Sequence, residues 1–379
     1  MTSRDVVFTF WRETWADAVR RQFMPPDRLA KALLAEERVG KLLVVDPFRS
    51  GPVQVARQVL GWPPTPFPSS PTAALFSPMR LRRGEAHGPR SLRRSYADYD
   101  RRLEAKARAR GLEAPALITT NPFYAAYAPL EWTGPVTYYA WDDWSALPAL
   151  ERWWPDIREA YTIIRSRGHR VCAVSQTLLD KVKPRGVGMT VPNGIVPGEW
   201  QAPWQPPAWL ESLPRPRILY AGAIHSRLDT ERVREISRAF PEATILFVGP
   251  AVTSDVVAML GHLPNVEVKE ALPRKEIAGL IHEVEVCIMP HLRNALTKAM
   301  SPLKIYEYCA AGRPSAVTDL PPVRGIHRVV QLVPEGESFP EAVQRALDGG
   351  PMTEAERLEF LDANSWARRH DEILDLALR

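Results

Sequence analysis

Residues 217–249 read "RILYAGAIHSRLDTERVREISRAFPEATILFVG". Two short apolar runs, RILYAG (217–222) and TILFVG (244–249), flank DTERVREISRAF, whose apolar residues recur three and four positions apart. That spacing lines one face of a helix. The flanking runs lack polar alternation, so as strands they are buried on both faces, and strands of that kind joined through a helix lie parallel. The unit recurs downstream. VEVKEAL (266–272), VCIMP (286–290), SAVTD (315–319) and VVQLV (329–333) read as further strands, with TSDVVAMLGHL, PRKEIAGLIHEV and SPLKIYEYCAAG supplying helices between them. Strands and helices in alternation predict a parallel sheet covered on both faces.

The first half carries the same rhythm less cleanly. VVFTF (6–10), LLVVDP (42–47), ALITT (116–120), VTYYAW (136–141) and VCAVS (171–175) read as strands, and PPDRLAKALLAEE as an early helix. A proline-rich stretch, WPPTPFPSSPTAALFSP (62–78), interrupts them. Proline removes ladder donors and breaks helices, so this stretch predicts a surface loop or lid. The segment around PGEWQAPWQPPAWLESLPRP has no periodicity and reads as a linker. The expected organisation is α/β: two Rossmann-like, doubly wound domains, 1–195 and 215–350, joined by 196–214, with a helical segment at 351–379 that packs back on the first. Open α/β sheets bind ligands at the carboxyl ends of their strands, so a cleft between two such sheets is the expected site.

With 379 residues, 25% of them charged and 45% hydrophobic, the chain is globular and long enough for two domains. The opening MTSRDVVFTFWRETW is broken by Arg12 and Glu13 before a signal-peptide core can form, and no run is long enough to span a bilayer, which predicts a cytoplasmic protein. Cys172, Cys287 and Cys309 stand singly in apolar runs, without zinc spacing or a disulfide framework, and read as core. The eight histidines show no ligand spacing, so no metal site is expected. The net charge of +5 is concentrated: 80–110 holds eleven Lys/Arg against four Asp/Glu, or +7, leaving −2 for the rest. Such a segment is a solvated helix face, or a docking face for an anionic membrane or charged acceptor. No nucleic-acid-binding motif accompanies it.

The stretch SPLKIYEYCAAGRP (301–314) predicts a short helix with Ser301 as N-cap, Pro302 in the first turn and Gly312 as the C-terminal stop. Its first turn offers unpaired N–H groups to an anion, and Lys304 adds a full charge. In YAGAIHSRLDTERV, Gly222 permits close backbone approach, Arg227 offers a fork of donors to phosphate, and Asp229 or Thr230 caps the next helix. Arg227 has a plain alternative as the ion-pair partner of Glu231. Neither an intact G-x-G-x-x-G nor a P-loop is present.

SPLKIYEYCAAGRPSAVTDLP, EVCIMPHLRNALTKAM, YAGAIHSRLD and AVSQTLLDKV with VPNGIV, taken together and in their order along the chain, resemble the retaining nucleotide-sugar glycosyltransferases of the two-domain GT-B fold. The likeness is to the family-4-like bacterial enzymes of cell-surface polysaccharide assembly, and it covers most of the chain. It implies a nucleoside diphosphate sugar in the second domain and a carbohydrate, lipid-linked or small-molecule acceptor in the first, with no metal or other cofactor. Glu307 matches the glutamate that holds the ribose hydroxyls. Arg227 and Lys304 stand near the positions that neutralise the diphosphate, with Gly222 and His225 in the same loop and Ser301 and Leu303 at the helix start. ALPRKEI resembles the turn that meets the nucleobase, around Leu272. The chain departs from the family where Ala299 stands eight residues before Glu307 in place of a first glutamate. It departs again at Ala223 and Leu228, where the family has a basic pair.

In YYAWDDW, Asp142 and Asp143 end a strand and are candidates for orienting an acceptor proton or stabilising oxocarbenium charge, with a helix cap as the alternative for Asp143. Eight of the twelve tryptophans precede residue 155 and serve as core, rim or sugar platforms. Two other readings use the same residues: a nucleotide-sugar epimerase, which needs no acceptor, and a non-catalytic partner subunit.

Overall fold

The computed structural model describes residues 3–21, 24–51, 66–80, 84–201 and 203–379. The chain divides into two compact units: Met1–Pro192 with His370–Arg379, and Asn193–Arg369.

The first unit is built on β1 (Arg4–Thr9), β2 (Val39–Val45), β4 (Ala73–Phe76), β6 (Ala116–Thr119), β7 (Val136–Ala140), β8 (Arg170–Ala173) and β9 (Gly188–Thr190), with β3 (Arg49–Ser50) and β5 (Met79–Arg80) forming a separate two-stranded ribbon. Its main sheet runs β4-β2-β1-β6-β7-β8-β9, all parallel. The proline-rich stretch is therefore not a loop throughout. Residues 62–65 lie outside the described residues, but Ala73–Phe76 is an edge strand paired with Leu42–Val45. Prolines 71 and 78 lie outside it, and the strand's own four residues have no missing donor to break the ladder.

The second unit has β10 (Arg217–Ala221), β11 (Thr244–Val248), β12 (Val266–Lys269), β13 (Val286–Met289), β14 (Ser315–Thr318) and β15 (Val330–Val333), ordered β12-β11-β10-β13-β14-β15. All pairs are parallel. Successive side chains point to opposite faces. Leu219, Ala221, Leu246, Val248, Cys287 and Met289 belong to one core cluster, and Ile218, Tyr220, Ile245, Phe247, Val286 and Ile288 to another. This is why the strands are apolar without alternation.

Numbered along each chain segment, both sheets have the Rossmann order 3-2-1-4-5-6, the first continued by β9. The strand order reverses direction between β1 and β6 in one sheet and between β10 and β13 in the other. Loops leaving those pairs part to opposite sides and open a crevice above the strand ends.

The expected linker is instead built into the second unit. Trp200 and Leu210, in short 3-10 helices at Pro197–Trp200 and Ala208–Ser212, are buried in its core. Two indole or leucyl anchors hold a segment that its prolines keep from regular structure. The last ten residues belong to the first unit, where Arg170 Nη1 donates to the Leu376 carbonyl at 2.9 Å and Arg4 Nη1 to that of Leu378 at 2.7 Å. Cys172, Cys287 and Cys309 are buried free thiols. No helix among the described residues is long and apolar enough to cross a membrane.

Candidate functional site

The loops after β10 and β13, at the second sheet's switch point, are fastened to each other. The Asp229 amide donates to the Pro290 carbonyl at 2.8 Å and the Leu292 amide to the Arg227 carbonyl at 2.8 Å, while Leu228 and His291 form an antiparallel bridge. Asp229 then caps the Thr230–Ala239 helix through the Arg232 amide. Glu231 pairs with Arg234 and not with Arg227. Among the described residues no carboxylate pairs with Arg227 or Lys304. The Arg227 Nε is buried without a hydrogen-bond partner, and its Nη1 lies 4.0 Å from the Met300 sulfur.

Lys304 meets this loop from the helix that precedes β14. Its ammonium sits 4.8 Å from the Tyr220 ring centroid, and a Cβ on Gly222 would stand 3.1 Å from it. Gly222 has φ +135°, a conformation only glycine adopts freely, and its carbonyl blocks any Cβ on Gly249. The backbone here is bare because lysine and loop occupy the space a side chain would take.

The helix itself is Leu303–Ala310, starting one residue later than the sequence suggests. Pro302 is the N-cap and no side chain caps the first turn. Ser301 does not serve as the cap: its Oγ accepts from the Asn193 amide at 3.0 Å and its carbonyl from Asn193 Nδ2 at 2.6 Å. A long-range partner took the hydroxyl that local chemistry offered to the helix. Gly312, at φ +69°, ends the helix: its amide donates to the Cys309 carbonyl and that of Arg313 to the Tyr308 carbonyl, a Schellman pattern. Buried Tyr308 pins the helix under the switch point, its hydroxyl accepting from the Ala221 amide at 3.1 Å and donating to the Ile288 carbonyl at 3.3 Å. Leu303, Lys304 and Glu307 stay half-buried on the remaining edge.

His291, two residues beyond β13, completes the cluster and escaped the sequence reading. It is 1% exposed, with Nε2 3.4 Å from the Tyr220 hydroxyl and Nδ1 unpartnered. Burial, then Lys304, Arg227 and His225, push its pKa well below the usual histidine value. His225 is lowered likewise by burial and by Arg227. Both rings are neutral at pH 7, so Arg227 and Lys304 carry the charge. The strand ending at Met289 was visible, and the strand order would have pointed to the residue that follows it.

Glu307 faces a different partner from the lysine of its own helix. It pairs with Arg274 Nη1, whose Nε also binds Glu199 at 2.8 Å and whose guanidinium lies 5.0 Å from the Trp200 ring. Arg274 begins the Arg274–Glu283 helix, two residues after Leu272, which is half-buried against the core. The turn at Leu272 and the carboxylate of Glu307 are thus joined through one arginine.

Asp142 and Asp143 belong to the first unit, at the end of β7. Asp143 is fully buried and occupied: Oδ1 accepts from Ser145 N at 3.1 Å and Oγ at 2.7 Å, and Oδ2 pairs with Lys181. It anchors the loop and presents no oxygen to solvent, which corrects its reading as a group facing substrate. Asp142 is half-buried and accepts from the Asp143 amide at 2.8 Å.

No protein-family model matches the chain. A stretch of 104 residues, 27% of this chain, is 34% identical to TuaH of Bacillus subtilis (strain 168), named as a glycosyltransferase of teichuronic acid biosynthesis. The match spans about a quarter of that protein, 26%. Among solved structures, the chain is similar to α,α-trehalose 6-phosphate synthase from Burkholderia multivorans, with TM-score 0.69 and 11% identity over 99% of this chain and 98% of that one. It is similar to sucrose-phosphate synthase from Thermosynechococcus elongatus, with TM-score 0.66 and 15% identity over 98% of both. HepE of Anabaena, solved with UDP and glucose, gives TM-score 0.62 and 13% identity over 98% of both chains. Likeness over nearly the whole length of these structures shows the fold, which is GT-B.

Proposed function

We propose that the protein is a cytoplasmic, retaining glycosyltransferase that moves a sugar from a nucleoside diphosphate to an acceptor hydroxyl. The observation that carries this reading is the placement of Arg227 and Lys304, neither held by a carboxylate, beside an uncapped helix start at the β10/β13 switch point. A leaving diphosphate gains negative charge as its bond to the sugar breaks, and fixed cations with free N–H groups are worth several kcal/mol to that transition state. On this reading those two side chains neutralise the diphosphate without a metal. The local identity to TuaH and the UDP and glucose bound by HepE support the choice of donor class. The three buried thiols suit a reducing compartment. Retention follows the family resemblance.

The test is a melting-temperature screen against UDP, GDP, dTDP and their sugars, followed by titration of the best ligand. A ligand at 100 times its Kd adds about 2.7 kcal/mol of stability. No shift with any of them would end the reading. The same titration on Glu307→Gln addresses the ribose: affinity should fall several-fold for the ribonucleotide and much less for its 2′-deoxy analogue. The melting temperature of the free protein should barely move, because exposed ion pairs contribute about 1 kcal/mol or less and Arg274 keeps Glu199. Equal losses for both nucleotides would take Glu307 away from the ribose.

We also infer contact with an anionic membrane through the Pro89–Ala109 helix. Arg90, Arg93 and Arg94 are exposed on its first turns, whereas Asp98 offsets Arg101 and Arg102, and Glu104 offsets Arg108. Arg82 and Arg83, which add to the segment's charge, lie outside the described residues. Co-sedimentation with phosphatidylserine vesicles should exceed that with phosphatidylcholine vesicles and fall steeply between 50 mM and 500 mM salt. Equal binding to both returns this helix to the role of a solvated face.

A further inference from the structure

Arg274 stands where a helix by itself would not place a cation. It is the first residue of the Arg274–Glu283 helix, and Pro273, the N-cap, supplies no side-chain cap. The helix dipole disfavours positive charge at that end. Burial opposes the charge as well, but Glu307 and Glu199 outweigh it and hold the guanidinium pKa above the ordinary arginine value. The position serves something other than the helix.

The guanidinium is fixed on three sides by residues distant in sequence. Its Nε donates to Glu199 Oε2 at 2.8 Å, its Nη1 donates to Glu307 Oε1, and its plane lies 5.0 Å from the centroid of the Trp200 ring. Trp200 is fully buried in the core of the second unit and Glu199 precedes it in the same short 3-10 helix, so this side of the mount is rigid. The Glu307 carboxylate is thereby held in one direction. Its Oε2 has no hydrogen-bond partner among the described residues and stays open to solvent. An ionised carboxylate has about four acceptor sites, so with one taken by Arg274 there is room for two neighbouring hydroxyls. Glu307 also lies three residues after Lys304, on the same side of their helix. A carboxylate so close to the proposed diphosphate would repel it, and the Arg274 charge offsets that repulsion.

We propose that Arg274 is a positioning residue for ribose: it aims the Glu307 carboxylate at the paired hydroxyls of the nucleotide and offsets its charge beside the diphosphate. Arg274 stays in place when the nucleotide binds, because Glu199 and Trp200 hold it independently of Glu307. The proposal rests on the reading of a nucleoside diphosphate sugar as donor, and it names the residue through which that site tells ribose from deoxyribose.

Calorimetric titration of UDP, GDP and their 2′-deoxy analogues into the unmodified chain, Arg274→Ala, Arg274→Lys, Glu307→Gln and the Arg274→Ala/Glu307→Gln double variant tests it. Both carboxylates are partly exposed and can be hydrated once Arg274 is gone, so these variants keep the fold. Arg274→Ala should weaken the ribonucleotide by about fivefold to tenfold and the 2′-deoxy analogue by less than about twofold, bringing the ratio of the two affinities down to that of Glu307→Gln. Arg274→Lys, which keeps the charge but not the fork, should fall between. The double variant should lose little more than Glu307→Gln alone, because Arg274 acts only through the carboxylate. Equal losses for the two nucleotides would make Arg274 a structural residue. Tighter ribonucleotide binding in Arg274→Ala would make it a competitor for Glu307, and full additivity in the double variant would give it contacts of its own. Each of these overturns the proposal. If the unmodified chain binds no nucleotide, the donor reading falls and this proposal with it, whereas a ribose preference that survives Arg274→Ala sinks this proposal and leaves the donor reading standing.

Discussion

Arg227→Ala and Lys304→Ala should each weaken binding of a nucleoside diphosphate by about tenfold to a hundredfold and leave binding of the free nucleoside nearly unchanged. A hydrogen bond to a charged group contributes about 1.5–3 kcal/mol, and each 1.4 kcal/mol is a factor of ten. The upper end applies here because neither cation has a carboxylate to fall back on, so each is already desolvated in part without compensation. Arg227 Nε is buried and unpartnered, and the Lys304 ammonium rests on the Tyr220 ring, not on an anion. Neutral His291 and His225 cannot substitute for either, since burial comes first in holding both rings unprotonated, joined by Lys304 and Arg227 at His291 and by Arg227 at His225. The double variant should lose less than the sum of the two, because the cations share one anion. Calorimetry with a nucleoside diphosphate and its nucleoside separates charge from base and ribose. Equal effects on the two ligands would place the cations away from the phosphates.

The sequence revealed the strands whose evidence was local and continuous. The strands around RILYAG, TILFVG and VCIMP were legible because burial on both faces leaves no polar residue to interrupt them. β4 was hidden among prolines that lie outside its four residues. β9, Gly188–Thr190, is a short edge strand, none of its residues buried, and so carries no apolar signal. The convergence of Gly222, Arg227 and Lys304 followed from strand order, which a run of alternating helices and strands implies. What escaped depended on contacts distant in sequence. Ser301 has the chemistry of an N-cap, yet Asn193 claims it from 108 positions away. Glu307 has Lys304 three residues before it, yet Arg274 reaches it from 33 positions away. Local propensity ranks the partners a residue has nearby, and tertiary packing adds partners that no window contains.

Asp143 shows the same rule with the larger consequence for function, because an aspartate at the end of a strand in an α/β domain looks like a reacting group. Its surroundings give it another task. No part of it is exposed, three groups bind its carboxylate, and the Lys181 ammonium that closes the set is itself 32% exposed. Removing the carboxylate leaves the Ser145 amide and hydroxyl without an acceptor inside the protein, while Lys181 can turn to water. Breaking a buried pair from one side costs about 3–5 kcal/mol, and the partial exposure of the lysine places Asp143→Ala near the bottom of that range, at about 3 kcal/mol. Lys181→Ala should cost at least as much, since it strands the carboxylate where no water reaches. Asp142→Ala removes one acceptor from a half-buried residue and should cost about 1 kcal/mol. Urea unfolding of the three variants measures all of this through the shift in midpoint at constant slope. Sugar transfer measured under conditions where each variant is fully folded should then be nearly normal for Asp143→Ala. An unchanged unfolding midpoint with transfer abolished would instead make Asp143 a catalytic residue, and would require its buried carboxylate to open to the acceptor during the reaction.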